Sequence, residues 1–414
     1  MPTCCIEQRV FIIATLIIIL ASCGKSNPTT PTPKPVEMTV TPTATMTMDT
    51  VESDPAMPDP TEEPPIVLIG AVIDGTGADP LPDAALVIQG EQIVALGPRA
   101  EVAIPANAQL IEAQGMTILP GFINAHVHDA YGSKLKTWAR AGVTTVRDVG
   151  ARLSSYSFST RDTLNADPAH ARLIAAGPLV TVPGGYPIAG NNFSSLTVDS
   201  PEDARAKIGQ LIDEGAEVIK IVLTIGDFPT LSLEEATAIV ETAHERGIPV
   251  TVHATTARDL ERALDAGVDD IAHIVTDHVS DEQIQRMIEN GVAWVPTLAI
   301  QGGHGAENLQ RFLDAGGQVA LGNDAGFLPG VIVGMPMNEI EQLHAAGLTP
   351  MQIIVAATRN AAKVCRVGDT LGTLEAGKQA DVLVVNGDPL QDLAVLRDVQ
   401  LVIHNGTIIH SRLP

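Results

Sequence analysis

Between residues 117 and 324, short apolar runs alternate with helix-patterned segments eight times, and that rhythm constrains the fold more than any other feature. The runs fall at 117–123, 144–148, 173–180, 217–223, 249–254, 270–275, 293–298 and 318–324. Near-continuous apolar runs of this length are what strands buried on both faces require, and parallel sheets are built from such strands. Between them, 201–214, 232–246, 257–266 and 281–290 carry apolar residues at helical spacing, and 336–346 and 350–363 follow the last run. Helix signals agree: Ser232 stands before Leu-Glu-Glu, and Gly247 follows Arg246, as capping predicts. Eight strands alternating with helices is the profile of an α/β chain closed into a (β/α)8 TIM-like barrel. An open doubly wound sheet is the alternative, but no Gly-x-Gly-x-x-Gly follows the first strand. The barrel is the expected architecture.

Composition fits that reading. Hydrophobic residues make up 45% of the 414, and aromatics only 3%, so the core must be built from Ala, Val, Ile and Leu. Upstream of the barrel, apolar runs at 66–73, 85–88, 92–96 and 109–112 are separated by Gly, Asp and Pro, with a tight hairpin at Gly90-Glu91. The carboxyl end has matching runs at 380–385, 401–404 and 407–410, with a turn at Asn405-Gly406. Neither end can bury much alone, so both are expected to pair into one small β-sandwich domain, 66–118 and 367–414, flanking a barrel of 119–366.

The amino terminus reads differently. Arg9 precedes an apolar run, 10–20, too short to span a bilayer, and Leu20-Ala-Ser-Cys23-Gly follows. A basic residue, a short apolar core and small residues before a cleavage point describe a secretory signal, here 1–22. The cysteine resembles the lipobox of bacterial lipoproteins, which would make Cys23 the lipidated first residue of an exported, membrane-anchored, cell-envelope protein. Residues 23–65 are dominated by Pro, Thr, Ser and acidic side chains and are expected to form a disordered tether. With Cys4 and Cys5 in the signal and Cys23 as lipid site, Cys365 is left without a partner for an internal disulfide. The formal net charge of −24 argues against nucleic acid as a partner, since it would repel phosphate. Oligomeric state is left open.

In barrels of this kind chemistry sits at the carboxyl ends of the strands. His126 and His128 end the first run, and residues i and i+2 of a strand point to one side. Lys220 interrupts the fourth run, His253 ends the fifth, His273 lies in the sixth, and Asp324 ends the eighth. Alone, each has a bland reading: a hydrogen-bonded core His, a rim Lys, a capping Asp. Together, all six fall near one mouth, and imidazoles with a carboxylate are transition-metal ligands. The joint placement predicts a metal site.

The order His-x-His, Lys, His, His, Asp on strands one, four, five, six and eight resembles the amidohydrolase superfamily of metal-dependent hydrolases. The phrasing around it is similar too: Leu119-Pro-Gly-Phe-Ile-Asn-Ala-His-Val-His, Ala141-Gly-Val-Thr-Thr-Val-Arg-Asp-Val-Gly150, Ala357-Thr-Arg-Asn-Ala-Ala362 and Leu371-Gly-Thr-Leu-Glu-Ala-Gly-Lys-Gln-Ala-Asp-Val-Leu-Val-Val385. The resemblance implies two divalent metal ions, expected to be zinc, although such ligands also accept manganese, cobalt or iron. It implies His126, His128 and Asp324 on the more buried ion, His253 and His273 on the other, and a carbamylated Lys220 bridging both. It also implies Asp324 as the general base.

Below the superfamily, the sequence separates several branches. Aminohydrolases acting on purines and pyrimidines resemble this chain but place a Glu three residues after the strand-five His, where Thr256 stands. Imidazolonepropionase-like enzymes share the split β domain but do not need the Lys, and phosphotriesterase-like enzymes lack that domain. What remains is similar to the prolidase-type branch, with dipeptides or N-acyl amino acids as small-molecule substrates, and cyclic amides or lactones as the alternative. Tyr186, in Pro183-Gly-Gly-Tyr186, stands where this group often shows His and is the candidate substrate-binding residue. His278 and His304 are further candidates for the pocket lining. The stretches 129–142 and 224–230 are short for the group, which predicts an open mouth. A reading from another class is a surface lipoprotein that keeps the metal without turnover; an intact general base speaks against it.

Overall fold

The computed structural model describes residues 63–151, 157–187, 195–223, 228–301, 305–326 and 330–413. The expected signal, Cys23 and nearly all of the tether lie outside these residues, as does His304.

The two chain ends meet in one sheet. Strands β1 (Ile66–Val72), β2 (Leu81–Gln89), β3 (Gln92–Pro98) and β4 (Gln109–Pro120) pair with β14 (Val382–Asn386), β15 (Val399–His404) and β16 (Thr407–Ser411) in the order β16-β15-β14-β4-β1-β2-β3. The seam is β14 against β4, antiparallel, with Leu383 opposite Leu119. The turns sit where their residues tolerate left-handed backbone, Gly90 between β2 and β3 and Asn405-Gly406 between β15 and β16. Pairing of the ends therefore matches the expectation: the strands share one seven-stranded order, and the sheet curves so far that the Gly406 turn lies against the Gly90 turn. Its buried face, including Leu68, Leu86, Val384 and Leu401, forms its own apolar cluster. β4 runs on into β5 (Phe122–Val127) with only Gly121 between them, so the outer sheet is directly coupled to the strand bearing His126.

The central strands are parallel. β5, β6 (Val143–Asp148) and β7 (Arg172–Ala175) make a three-stranded sheet; β8 (Leu179–Thr181), β9 (Ser195–Thr197), β10 (Ile219–Val222), β11 (Val250–His253), β12 (Asp270–Ala272) and β13 (Ala293–Val295) make a six-stranded one, ordered β13-β12-β11-β10-β8-β9. They fall in chain order except for β9, which lies outside β8. The third expected strand, 173–180, is split at Gly177-Pro178: Gly177 has φ 75°, and proline has no N–H to give a ladder. β7 accordingly pairs with β6, and β8 with β10.

The eighth expected strand is not a ladder strand. Residues 318–325 touch β13 through a bridge at Trp294–Val319 and β5 through one at Val127–Ala325. Asp324, at φ 57°, breaks the pleat there. Parallel strands thus follow each other around a common core, but among the described residues the ring is not one continuous closed sheet. Helices cover it, among them Pro201–Asp213, Leu233–Glu245, Ala257–Ala266 and Asp281–Glu289. Ser200, Ser232, Thr256 and Ser280 cap them by accepting a backbone N–H three residues on.

Candidate metal centre

Strand register assembles the centre. β10 and β11 pair with Lys220 opposite Thr251 and Val222 opposite His253; β11 and β12 pair with Thr251 opposite Asp270 and His253 opposite Ala272. Lys220, Thr251 and Asp270 therefore form one row, His253 lies two residues beyond Thr251 at the end of β11, and His273 follows directly after β12. On the other side of the ring, His126 lies in β5, and the backbone N–H of Asp324 donates to its carbonyl at 2.9 Å. His126, His128, Lys220, His273 and Asp324 are all buried.

The structure brings the expected residues toward one another, with Lys220 close enough to act electrostatically on His126, His253 and Asp324. Donor atoms of His126, His273 and Asp324 lie within 4.8 Å of one another. His128 Nε2 is 2.9 Å from Asp324 Oδ1, and His126 Nε2 is 3.4 Å from it. The ring of His253 is centred 4.3 Å from that of His273, and the Tyr186 ring stands 5.8 Å from His253. That triad of donor atoms takes His126 and Asp324 from one expected ligand shell and His273 from the other. His278 is exposed. Thr256, where a deaminase would carry its Glu, is occupied as a helix cap: Oγ1 accepts the N–H of Asp259 and donates to its carboxylate.

Burial and charge set the protonation states. Desolvation disfavours a buried cation. With the Lys220 charge adding to it, desolvation holds His126 well below its ordinary value and His253 at about 3. His273 is lowered by burial and by His253 and His126 beside it. These imidazoles are neutral at pH 7, with lone pairs available. Burial likewise lowers the Lys220 amine to about 7, against a partial pull from Asp324. Burial would raise Asp324, yet His126 and His128 hold it well below the carboxylate range.

The donor set fits a cation. Both ring nitrogens of His126, Nε2 of His253 and Nζ of Lys220 are buried with no hydrogen-bond partner. Each such group costs about 1–3 kcal/mol when left unsatisfied. His128 Nδ1 lies 2.8 Å from the Gly150 carbonyl; a carbonyl only accepts, so Nδ1 carries the proton and Nε2 points its other valence at the Asp324 oxygen. A lone pair and a carboxylate oxygen at that separation need a proton or a cation between them.

Further residues support these side chains, and sequence reasoning did not identify them. Thr297 Oγ1 lies 2.9 Å from His273 Nδ1, and Trp294 Nε1 donates to the His273 carbonyl at 2.7 Å. Thr297 is followed by two N–H groups, of Leu298 and Ala299, that donate to the buried Glu339 carboxylate at 2.9 and 2.7 Å. Burial raises Glu339 to about 8 even against those donors. In the row containing Lys220, Arg147 and Asp270 form a fully buried fork, both N–O distances 2.8 Å, with Arg147 Nε donating to the Ala125 carbonyl and Thr251 Oγ1 to Asp270. Backbone strain gathers here too. Asp129, His273, Thr297 and Asp324 have φ of 49°, 73°, 47° and 57°, each costing on the order of 1–3 kcal/mol. Gly326 has to be glycine: a Cβ there would sit 1.8 Å from the His128 carbonyl oxygen.

Comparison with known proteins adds a family to this geometry. The model of the amidohydrolase family matches residues 117–409. The chain is 27% identical over 363 residues to an imidazolonepropionase of Symbiobacterium thermophilum, covering 74% of this chain and 84% of that protein. It is 26% identical over 414 aligned positions to an ochratoxinase of Aspergillus niger, covering 82% and 84%. Among solved structures, a Xaa-Pro dipeptidase with bound methionine in its active site superposes with a TM-score of 0.74 at 27% identity, covering 83% of this chain and 99% of that one.

Proposed function

Because the chain belongs to the amidohydrolase family, we propose that its centre is a two-metal site hydrolysing amide bonds of small substrates, with dipeptides and N-acyl amino acids as the first class. The protein is a metal-dependent hydrolase acting on carbon–nitrogen bonds; the substrate, the ion count and the residue roles are this proposal. The observation that carries it is the close grouping of His126, His273 and Asp324, with His128 against Asp324 and His253 against His273, beside the partnerless nitrogens of His126, His253 and Lys220. The domain reading goes with it: a (β/α)8 barrel, 119–366, and a β-sandwich domain from 66–118 and 367–414.

His126, His128 and Asp324 would hold one ion, His253 and His273 the other, with zinc as the expected metal. Bound there, the two cations would lower the pKa of a shared water and polarise a substrate carbonyl. Lys220, neutral in about half its molecules at pH 7, is nucleophilic. Its nitrogen can form an N–C bond to carbon dioxide and release a proton, which converts an amine into an anionic ligand between the two shells. Asp324, ionised across the neutral range, accepts a proton from water at the site and returns it to the leaving amine. Tyr186, near His253, is placed to contact the bound substrate.

Elemental analysis with a substrate panel tests this reading. Two divalent ions per chain and hydrolysis of Xaa-Pro or Xaa-Arg dipeptides, or of N-acyl amino acids, are expected. The likeness to an imidazolonepropionase favours a second reading, hydrolysis of cyclic amides, which the same panel includes alongside lactones. Two bound ions with no hydrolysis of any amide, ester or lactone would leave a non-catalytic metal-retaining surface protein.

Anchoring is proposed with it. A lipid on Cys23 would hold the enzyme on the cell envelope, with 23–65 as tether. Cys23→Ser is expected to abolish incorporation of labelled palmitate and move the protein to the soluble fraction. Unchanged membrane association would rule this anchor out.

A further inference from the structure

The two arms of the centre are not joined by a ladder. β5 carries His126 and leads to His128; 318–325 carries Asp324; and among the described residues they share one bridge, Val127–Ala325, and three backbone hydrogen bonds, from Ala125 N to the Leu321 carbonyl, from Asp324 N to the His126 carbonyl and from His128 N to the Ala325 carbonyl. What fills the gap is a pair of fully buried amides. Asn124 Nδ2 donates to Asn323 Oδ1 at 2.7 Å. Asn124 Oδ1 accepts the N–H groups of His126 and Asn323, both at 3.3 Å. Asn323 Oδ1 also accepts the N–H of Ala325 at 3.2 Å, and its Nδ2 donates to the Ile332 carbonyl at 3.1 Å.

Two of these bonds run from residue i to the N–H of i+2, the turn that Asn makes with its own chain. The one from Asn323 spans Asp324 and holds it in its left-handed conformation. The one from Asn124 ends on the backbone of His126. Their side chains then bond to each other, so the backbone at His126 and the backbone at Asp324 share one hydrogen-bonded unit. The orientation is forced: turning the Asn124 amide over would set its NH2 against two N–H groups.

We propose that the Asn124–Asn323 pair is the positioning device that fixes the His126–His128 arm against Asp324. What it requires is an acceptor at 124 facing a group at 323 that is complementary to it, not asparagine as such. This rests on the functional reading above, in which those three side chains share one ion.

The test is a double-mutant cycle on the full chain, read by ion affinity in competition with a chelator, by kcat, and by thermal unfolding of the chelator-treated protein. Asn124→Asp keeps the acceptor for His126 and Asn323 but sets a carboxylate oxygen against Asn323 Oδ1. It is expected to weaken ion retention about ten- to a hundredfold, the usual effect of disturbing the partners of ligands. In Asn124→Asp/Asn323→Ser the hydroxyl donates to the carboxylate and still accepts from Ala325, so affinity and kcat return toward wild type. Asn323→Ser alone is expected to be mild. If Asn124→Asp does not fold, recovery of folding and ion retention in the double variant supports the pair equally. Wild-type affinity in a folded Asn124→Asp, or a double variant no better than that single one, overturns the pairing. A wild-type chain that holds no divalent ion instead overturns the functional reading, and the role given to the pair falls with it, whatever the unfolding cycle shows.

Discussion

Asp324→Asn is expected to lower kcat about a thousandfold, the middle of the range for removing a general acid–base group, while the variant retains part of its metal. Asparagine is the right probe for a structural reason. Asp324 sits at φ 57°, a conformation Asn adopts readily and most other residues do not, so the turn survives. The amide oxygen can still face His126 and His128, so a ligand remains. What is lost is the negative charge and the ability to take a proton. His126 and His128 hold the wild-type carboxylate well below its ordinary range, so it is ionised wherever the enzyme would work. The measurements are kcat on whichever panel substrate is hydrolysed, and ions per chain by elemental analysis. A normal kcat in a variant with normal metal would remove Asp324 from the role of base.

How far the centre could be read from sequence depends on what each residue does to the pattern around it. His126 and His128 stand at the end of an apolar run, Lys220 interrupts one, and Asp324 follows one; a polar residue in such a place is visible because burial makes it costly. The same signal was present at Arg147, inside Val143-Thr-Thr-Val-Arg147-Asp148, and at Asp270, and would have found their buried fork. Asn124 and Asn323 were not visible this way. An uncharged amide two residues before a histidine, or just before an aspartate, reads as a turn residue, and only the fold brings the two side chains within 2.7 Å. Glu339 was hidden for another reason: it lies on Met337–Ala345, a surface-patterned helix, and its partners are backbone N–H groups with no sequence signature.

The fold divides along the same line. Alternation of runs and helices revealed most of the parallel strands, because period and length are local properties; the short edge strand β9, which lies outside β8, left no such run. Gly177-Pro178 within the third run carries the signal of a break, although the apolar residues on either side read as one strand. The loss of ladder pairing in 318–325 was not, because it follows from the left-handed turn at Asp324 and the amides that hold it. The seven-stranded order was half legible: matching textures at both ends implied pairing, but sequence period does not say which strand lies beside which.

Lys220→Ala should bring turnover below detection, and short carboxylic acids such as acetate or propionate should restore part of it. An unperturbed lysine at pH 7 has about one neutral amine in three thousand; with its value at about 7, Lys220 has about one in two. Only the neutral amine has a lone pair for carbon dioxide, so burial raises the reactive fraction by about three orders of magnitude. Formation of the carbamate should therefore follow pH through 7 and not through 10.5, and protein freed of bicarbonate should regain activity on its return. Removing the side chain leaves a space between His253 and the Arg147–Asp270 row, and a small carboxylate can enter it with the charge the carbamate would have had. Lys220→Arg sharpens the comparison: a guanidinium stays protonated, cannot react with carbon dioxide, and leaves no space, so neither turnover nor rescue is expected. Collapse of the fold is separable from loss of chemistry by thermal unfolding, because Lys220→Ala also removes a buried amine that has no hydrogen-bond partner. A folded Lys220→Ala that keeps its activity would show that the bridge is not needed; a folded, inactive one that no carboxylate rescues would point to the lysine acting as an amine.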